Sequence, residues 1–172
     1  MIPALEKLIR DLRSAEVTQK RESLCTISLL WEWKILDRRD SADLLSDAAL
    51  LEIEIARDEL EAALNVIEEV AADGTEDISI RLSALSALGS APRFKCVEIG
   101  VQLLNDAHAA LSHDDLTEII FYISPFAGSS QFRSQILALP SASDLIRTLG
   151  NLQQSEDSRL AQAARRLLNS LM

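Results

Sequence analysis

Residues 75–85 read TEDISIRLSAL, and a weaker copy, SEDSRLAQA, stands at residues 155–163. Each copy opens with a small hydroxyl residue and two acids, then runs into apolar positions at helical spacing with an arginine among them. That is the pattern of a capped helix start: the hydroxyl or carboxylate accepts a free backbone N–H, and acids suit the positive end of the helix. Arg81 and Arg159 are 78 residues apart, or two periods of 39. An intervening start falls at Ser112-His-Asp-Asp115, followed by Ile119, Ile120 and Ile123. An earlier one falls at SAEVTQKRESL, residues 14–24. Each start follows a segment of the type L-x-x-L-I-x-x-L, within residues 3–12, 58–72, 95–110 and 142–152. The pattern predicts four antiparallel helix pairs, at about 3–37, 58–89, 93–124 and 141–171. The first two starts are separated by 61 residues instead of about 40, so residues 37–57 read as one inserted acidic helix, which makes the expected fold an all-α solenoid of about four helix pairs with that insertion.

The rest of the chain reads at the same period. Leu5, Leu8, Ile9 and Leu12 mark a first helix opened by Pro3. Leu24, Ile27, Trp31 and Ile35 mark a second over residues 15–37. Ser41 is placed to cap a third segment. Residues 43–72 hold no Gly or Pro and read as one long helix, stopped by Asp73-Gly74-Thr75. Pro92 is expected to open a helix over 93–111, and Ser112 to cap the next, with Leu116, Ile119, Ile120 and Ile123 facing inward. Pro125 is expected to end that helix, leaving SPFAGSSQF at 124–132 as the one long loop. Helices at about 131–139, 142–152 and 157–171 complete the chain. No segment reads as sustained polar/apolar alternation, so no sheet is expected. With 172 residues, 5 Gly, 4 Pro and 4% aromatics, the composition suits one all-α domain and argues against a barrel or sandwich.

The period near 40 with two helices per unit resembles HEAT repeats. IRLSALSALG, residues 80–89, is most similar to the short HEAT-like repeats first noted in phycobilin lyases. The resemblance implies a right-handed α-solenoid, with Asp77 and Asp157 as turn aspartates and Arg81 and Arg159 as ladder arginines. The third copy has Glu118 near the arginine position and the first has Lys20, so the ladder is incomplete. One helix pair cannot bury its apolar face, whereas stacked pairs can, and the stack leaves broad surfaces suited to binding. Fold alone does not assign function.

Charge is concentrated in one place. The net charge is -10, yet residues 40–77 hold 13 acids against one base, Arg57. Residues 1–39 carry a net +2 and residues 78–172 carry none. At 100° per residue on a continuous helix, Glu54, Asp58, Glu61 and Glu68 share an arc of about 80°. Ile53, Ala56, Leu60, Leu64, Ile67 and Val70 take the far side. Carboxylates one turn apart repel by a few tenths of a kcal/mol per pair, which a basic partner would relieve. The alternative is a solvated face that keeps an apolar helix soluble. Asp47 in the same acidic stretch, and Trp33, join these acids as candidate contacts. Trp31 and Trp33, two apart, point to different sides of their helix; core packing is the plainer reading of the pair, and an exposed Trp would be a hot-spot candidate.

Several chemistries find little footing. His108 and His113, five apart with Ser112 between them, do not share a helix face, and with Asp114 and Asp115 they make a poor metal set. No hydrolase, P-loop or dinucleotide motif is present. Cys25 and Cys96 read as two buried thiols in a reducing cytosol. The N-terminal residues MIPALEKLIRDLRS do not read as a signal peptide, and no apolar run is long enough for a bilayer. The negative balance disfavours nucleic acid, including the basic groove of HEAT-like DNA glycosylases. The expectation is therefore a non-enzymatic, cytoplasmic protein-binding module without metal or cofactor. It would take a basic partner on Asp47, Glu54, Asp58, Glu61, Glu68 and Trp33, as an inhibitor of immunity or antitoxin type acting on a toxin or nuclease would. A general scaffold or adaptor is the broader alternative. The resemblance to phycobilin lyases implies another, a chromophore-handling protein.

Overall fold

The computed structural model describes every residue except Met1, Ala48 and Pro92, and of Ala107 only the backbone. The expected role of Pro92 as a helix opener lies outside the described residues. The described residues form α-helices and one short 3-10 helix, with no strand among them. Among the described residues, no helix is long and apolar enough to cross a membrane. The chain separates into two compact units, Met1–Pro92 and Arg93–Met172.

The first unit contains α1 (Pro3–Leu12), α2 (Val17–Leu36), α3 (Arg39–Asp43), α4 (Ala49–Glu52), α5 (Arg57–Ala72) and α6 (Ile78–Ala87). Helix α1 packs on α2 and α5 on α6, while α2 also packs on α6 and α1 on α5. Two hairpins thus lie side by side, first helix on first and second on second. Their shared core is made of Leu5, Leu12, Leu24, Ile27, Leu30, Leu60, Leu64, Ile67, Ile80 and Leu85, each at most 2% exposed. Burying a side chain of this kind contributes about 1.5–3 kcal/mol, so the stripe at helical period is what holds the hairpins together.

The second unit contains α7 (Phe94–Ala107), a 3-10 helix (His108–Ala110), α8 (His113–Ala127), α9 (Ser130–Leu137), α10 (Ala142–Leu152) and α11 (Ser158–Leu171). Helix α7 packs on α8 and α10 on α11, with α8 on α11 and α7 on α10. Leu116, Ile119, Ile120 and Ile123 all point into this core, in agreement with the sequence reading. Gly100 lets α7 approach α8 closely, because a Cβ there would lie 3.3 Å from Ile123 Cγ1 and 3.4 Å from Ile119 Cγ2.

Side-chain caps close three of the helix starts. Asp77 accepts the Ser79 N–H at 2.8 Å, Asp157 accepts the Leu160 N–H at 2.8 Å, and Ser112 Oγ accepts the Asp115 N–H at 3.1 Å. Asp115 returns the bond by accepting the Ser112 N–H at 3.1 Å, which closes a capping box.

Four expectations are corrected. Residues 43–72 are not one helix: α4 stops at Glu52, residues 53–56 are non-helical, and α5 starts at Arg57. The reason is in the residues LEIEIA at 51–56. Ile53 and Ile55 are half-buried while Glu54 and Ala56 are exposed, the period-two alternation of an extended chain. Helix propensity is a weak prior that such burial overrides. Ser41 is not a cap. It lies inside α3, where its hydroxyl donates to Glu32 Oε2 at 2.6 Å. Pro125 does not end α8, and residues 124–132 are not a long loop, because α8 continues to Ala127 and α9 begins at Ser130. Pro125 stands near the end of the helix, so only a short final turn follows the lost N–H. Phe126 in that turn is held by edge-on packing against Phe94 and Phe132, at 6.4 and 5.3 Å between ring centroids. Finally, Cys96 is buried but Cys25 is exposed, and both are free thiols. Cys25 sits on the outer side of α2, opposite the stripe formed by Leu24, Ile27 and Leu30.

Candidate functional site

The acidic residues 40–77 all belong to the first unit, which carries 19 acids and 10 bases, against 8 acids and 7 bases in the second. The break at 53–56 divides the expected ridge. Asp58, Glu61 and Glu68 ride on α5, but Glu54 lies in the non-helical connector and Asp47 in the segment before α4. The carboxylates therefore do not form one rod.

Many of these acids already have partners. Glu61 accepts a hydrogen bond from Arg57 Nε at 2.9 Å, so the single base of the acidic stretch is spent on it. The Arg57 guanidinium also stands 5.7 Å from the centroid of the buried Trp31 ring. Arg13 lies 3.7 Å from Glu69, and Lys20 pairs with Glu76. Glu68 is half-buried. Asp47 accepts the Ala49 N–H at 3.0 Å and Glu59 accepts the Ala56 N–H at 3.3 Å. The carboxyls of Asp73 and Asp77 are held below their ordinary value, first by the hydroxyls of Thr75 and Ser79 and then by the N–H groups of the same residues.

Apart from Glu54, whose charge acts on Lys34, four carboxylates of the stretch remain. Asp40, Asp43, Glu52 and Asp58 are exposed and make no ion pair or side-chain hydrogen bond among the described residues. They fall in the segment from α3 to the start of α5, which also holds Leu44, 70% exposed. Leu36, at the end of α2, is 40% exposed. Asp40, Asp43 and Glu52 lie within the acidic stretch 40–77 expected from the sequence but are not among the individual contacts expected there, and the alternation in LEIEIA is the signal that points to them.

Lys34 ties this segment to α2. Its ammonium donates to the carbonyl oxygen of Leu51 at 3.0 Å and lies 3.5 Å from the centroid of the Trp33 ring. Partial burial pulls the Lys34 pKa below its ordinary value, while the nearby Glu54 carboxylate opposes that shift. Trp33 is half-buried beneath this lysine, so its ring face is already occupied. A cleft of about 360 Å³ adjoins the segment, lined by Lys7, Asp11, Glu22, Ser23, Thr26 and Asp47 among others.

Elsewhere, His113 Nδ1 lies 3.9 Å from Asp157 Oδ2, and His108 Nδ1 lies 3.3 Å from the Asn105 carbonyl oxygen. Among the described residues, no group of three or more His, Cys, Asp or Glu side chains is arranged to hold a metal ion. The arrangement around residues 37–58 offers uncompensated negative charge and an apolar side chain on a surface, which is the chemistry of association. No protein-family model matches the chain, and no curated protein matches it.

Proposed function

We propose that this chain is a non-enzymatic protein-binding module that takes a basic partner on residues 37–58. The observation that carries the reading is the set of exposed carboxylates without partners, Asp40, Asp43, Glu52 and Asp58, in the same segment as the exposed Leu44. Four like charges held by the fold repel one another, and a Lys/Arg-rich segment removes that repulsion on binding. Leu44 supplies the apolar contact that gives such a complex its lifetime, since charge mainly steers encounter. Glu54 and Asp47 flank the same surface. Glu61, Glu68 and Trp33, already paired or covered, contribute less.

The proposed architecture is a right-handed HEAT-like solenoid with residues 37–56 inserted between hairpins. The packing of first helix on first and second on second within each unit supports it. The biological role that fits best is inhibition, of the kind an immunity protein or antitoxin exerts on a basic nuclease or other toxin. A cytosolic setting is proposed with it, and the free thiols Cys25 and Cys96 support that setting.

The test is titration with a fluorescent Lys/Arg-rich peptide containing one leucine. Affinity is expected to fall at least about tenfold between roughly 0.05 and 0.5 M salt, because exposed charges are screened within a few Å at the higher value. The triple variant Asp40→Lys, Asp43→Lys, Glu52→Lys should lose binding, and Glu61→Gln should keep most of it. Binding that ignores both salt and the triple reversal would overturn the reading.

A further inference from the structure

The outward face of α11 is the reverse of the acidic segment. Ser158, Arg159, Gln162, Arg165, Arg166 and Asn169 are all exposed. At 100° per residue they share an arc of about 120°. The helix contains no acid at all, SRLAQAARRLLNSL. Its opposite side, Leu160, Ala163, Ala164, Leu167 and Leu171, is buried in the second unit. Arg159 is partly engaged: its Nη1 lies 3.7 Å from Asp114 Oδ1, and its guanidinium lies 5.8 Å from the ring centroid of Phe121, itself 46% exposed. Arg165 and Arg166 make no ion pair or side-chain hydrogen bond among the described residues. The fold thus presents a cationic helix face beside an exposed aromatic ring, and on its other unit a set of exposed carboxylates that make no ion pair among the described residues.

We infer that this face of α11 docks on residues 37–58 of a second copy of the chain. The argument is charge complementarity. The carboxylates Asp40, Asp43, Glu52 and Asp58 are among the exposed anions of the first unit that make no ion pair or side-chain hydrogen bond among the described residues, and every copy in solution carries them at the same concentration as Arg165 and Arg166. Leu44 on one copy and Phe121 on the other supply apolar partners at the two surfaces. A long polyanion is the weaker candidate, since a duplex brings its phosphates to the whole protein, whose net charge is -10. Copies also repel through that net charge, but at physiological salt the range is about 8 Å, so the local match decides. A 14-residue helix is about 21 Å long, which limits the buried area and makes the contact weak and reversible. The same contact would compete with a basic partner for the acidic segment, making self-association a reservoir from which such a partner displaces a copy. For its acceptor side the inference rests on the proposed reading of residues 37–58.

Sedimentation equilibrium of the full chain tests it. The weight-average mass is expected to rise with concentration in about 0.15 M salt and to return to the monomer value near 0.5 M. Arg165→Glu with Arg166→Glu should abolish the rise, and Arg165→Lys with Arg166→Lys should retain it. Decisively, the Arg-to-Glu variant mixed with the Asp40→Lys, Asp43→Lys, Glu52→Lys variant should associate, although neither does alone. A monomer at all concentrations, or association untouched by reversal on α11, overturns the inference. Capture of the basic peptide by the Arg-to-Glu variant is read in parallel: if peptide binding persists while no self-association is found, this inference fails and the proposed function stands. If association follows α11 reversal but the charge-swapped mixture stays monomeric, the acidic segment is not the acceptor and the inference is likewise overturned.

Discussion

Arg81 reaches from α6 back to the last turn of α5, where its Nε–H donates to the carbonyl oxygen of Ala71 at 3.0 Å. It thereby satisfies one of the carbonyls that a helix C-terminus leaves open, and places a positive charge at the negative end of the helix. Its Nη2 is buried with no acceptor among the described residues. Arg159, at the matching place in the repeat pattern, does something else: it is exposed and lies near Asp114 and Phe121. Two arginines alike in sequence therefore differ in role. Arg81→Ala is expected to destabilise the protein by about 1–3 kcal/mol, in the range for a hydrogen bond to a charged group, and Arg159→Ala by less than about 0.5 kcal/mol. Urea unfolding of the two variants checks this, and equal losses would contradict it.

The aspartate caps link stability to pH. Asp73 is held below its ordinary pKa chiefly by the Thr75 hydroxyl, Asp77 chiefly by the Ser79 hydroxyl, and Asp157 chiefly by the Leu160 N–H. A carboxyl lowered in the folded state favours folding when ionised. Its contribution is thus fully present above the unfolded value, about 3.9, and is lost as pH falls through the lower folded value. Thermal melts from neutral pH downward should show little change until about pH 5 and a steep loss below about pH 4. Asp77→Asn and Asp157→Asn together should flatten that loss.

Two helical glycines should respond in opposite directions. A Cβ at Gly150 in α10 would meet nothing within 4 Å, so Gly150→Ala should stabilise by about 0.5–1 kcal/mol through reduced chain entropy in the unfolded state. Gly100 already sits against Ile119 and Ile123, so Gly100→Leu must push α7 from α8 and should cost at least about 1–3 kcal/mol. Denaturant midpoints of both variants measure the pair.

The bond from Lys34 to the Leu51 carbonyl holds the acidic segment on α2. Lys34→Met is expected to raise amide hydrogen exchange within residues 44–56 while leaving the slowest-exchanging amides of α2 and α5 unchanged. If exchange in that segment stays the same, the anchoring role assigned to Lys34 is wrong.

Helix content, most helix starts and the inward face of α8 were legible in the residues. Each depends on interactions within one turn, as when Ser112 and Asp115 close a box across three positions, or on apolar spacing such as Leu116, Ile120 and Ile123. The candidate site was less legible. A ridge through Glu54 and Asp58 assumed a helix that the alternating Ile53 and Ile55 interrupt. Glu61 and Arg57 stand one turn apart, so their pairing could have been anticipated from spacing alone. The pairing of Lys20 with Glu76 spans 56 positions and could not.

Sequence alone determined that the chain is helical, that Ser112 caps α8, and that its excess negative charge lies within residues 40–77. Tertiary structure decided which of those charges remain open. Arg13 and Lys20 reach Glu69 and Glu76 only because α1 and α2 pack against α5 and α6, whereas Asp40, Asp43, Glu52 and Asp58 make no ion pair among the described residues. The reason is one of range: propensity and capping act over three or four residues, while the pairing of a surface charge depends on which distant helix the hydrophobic core sets beside it.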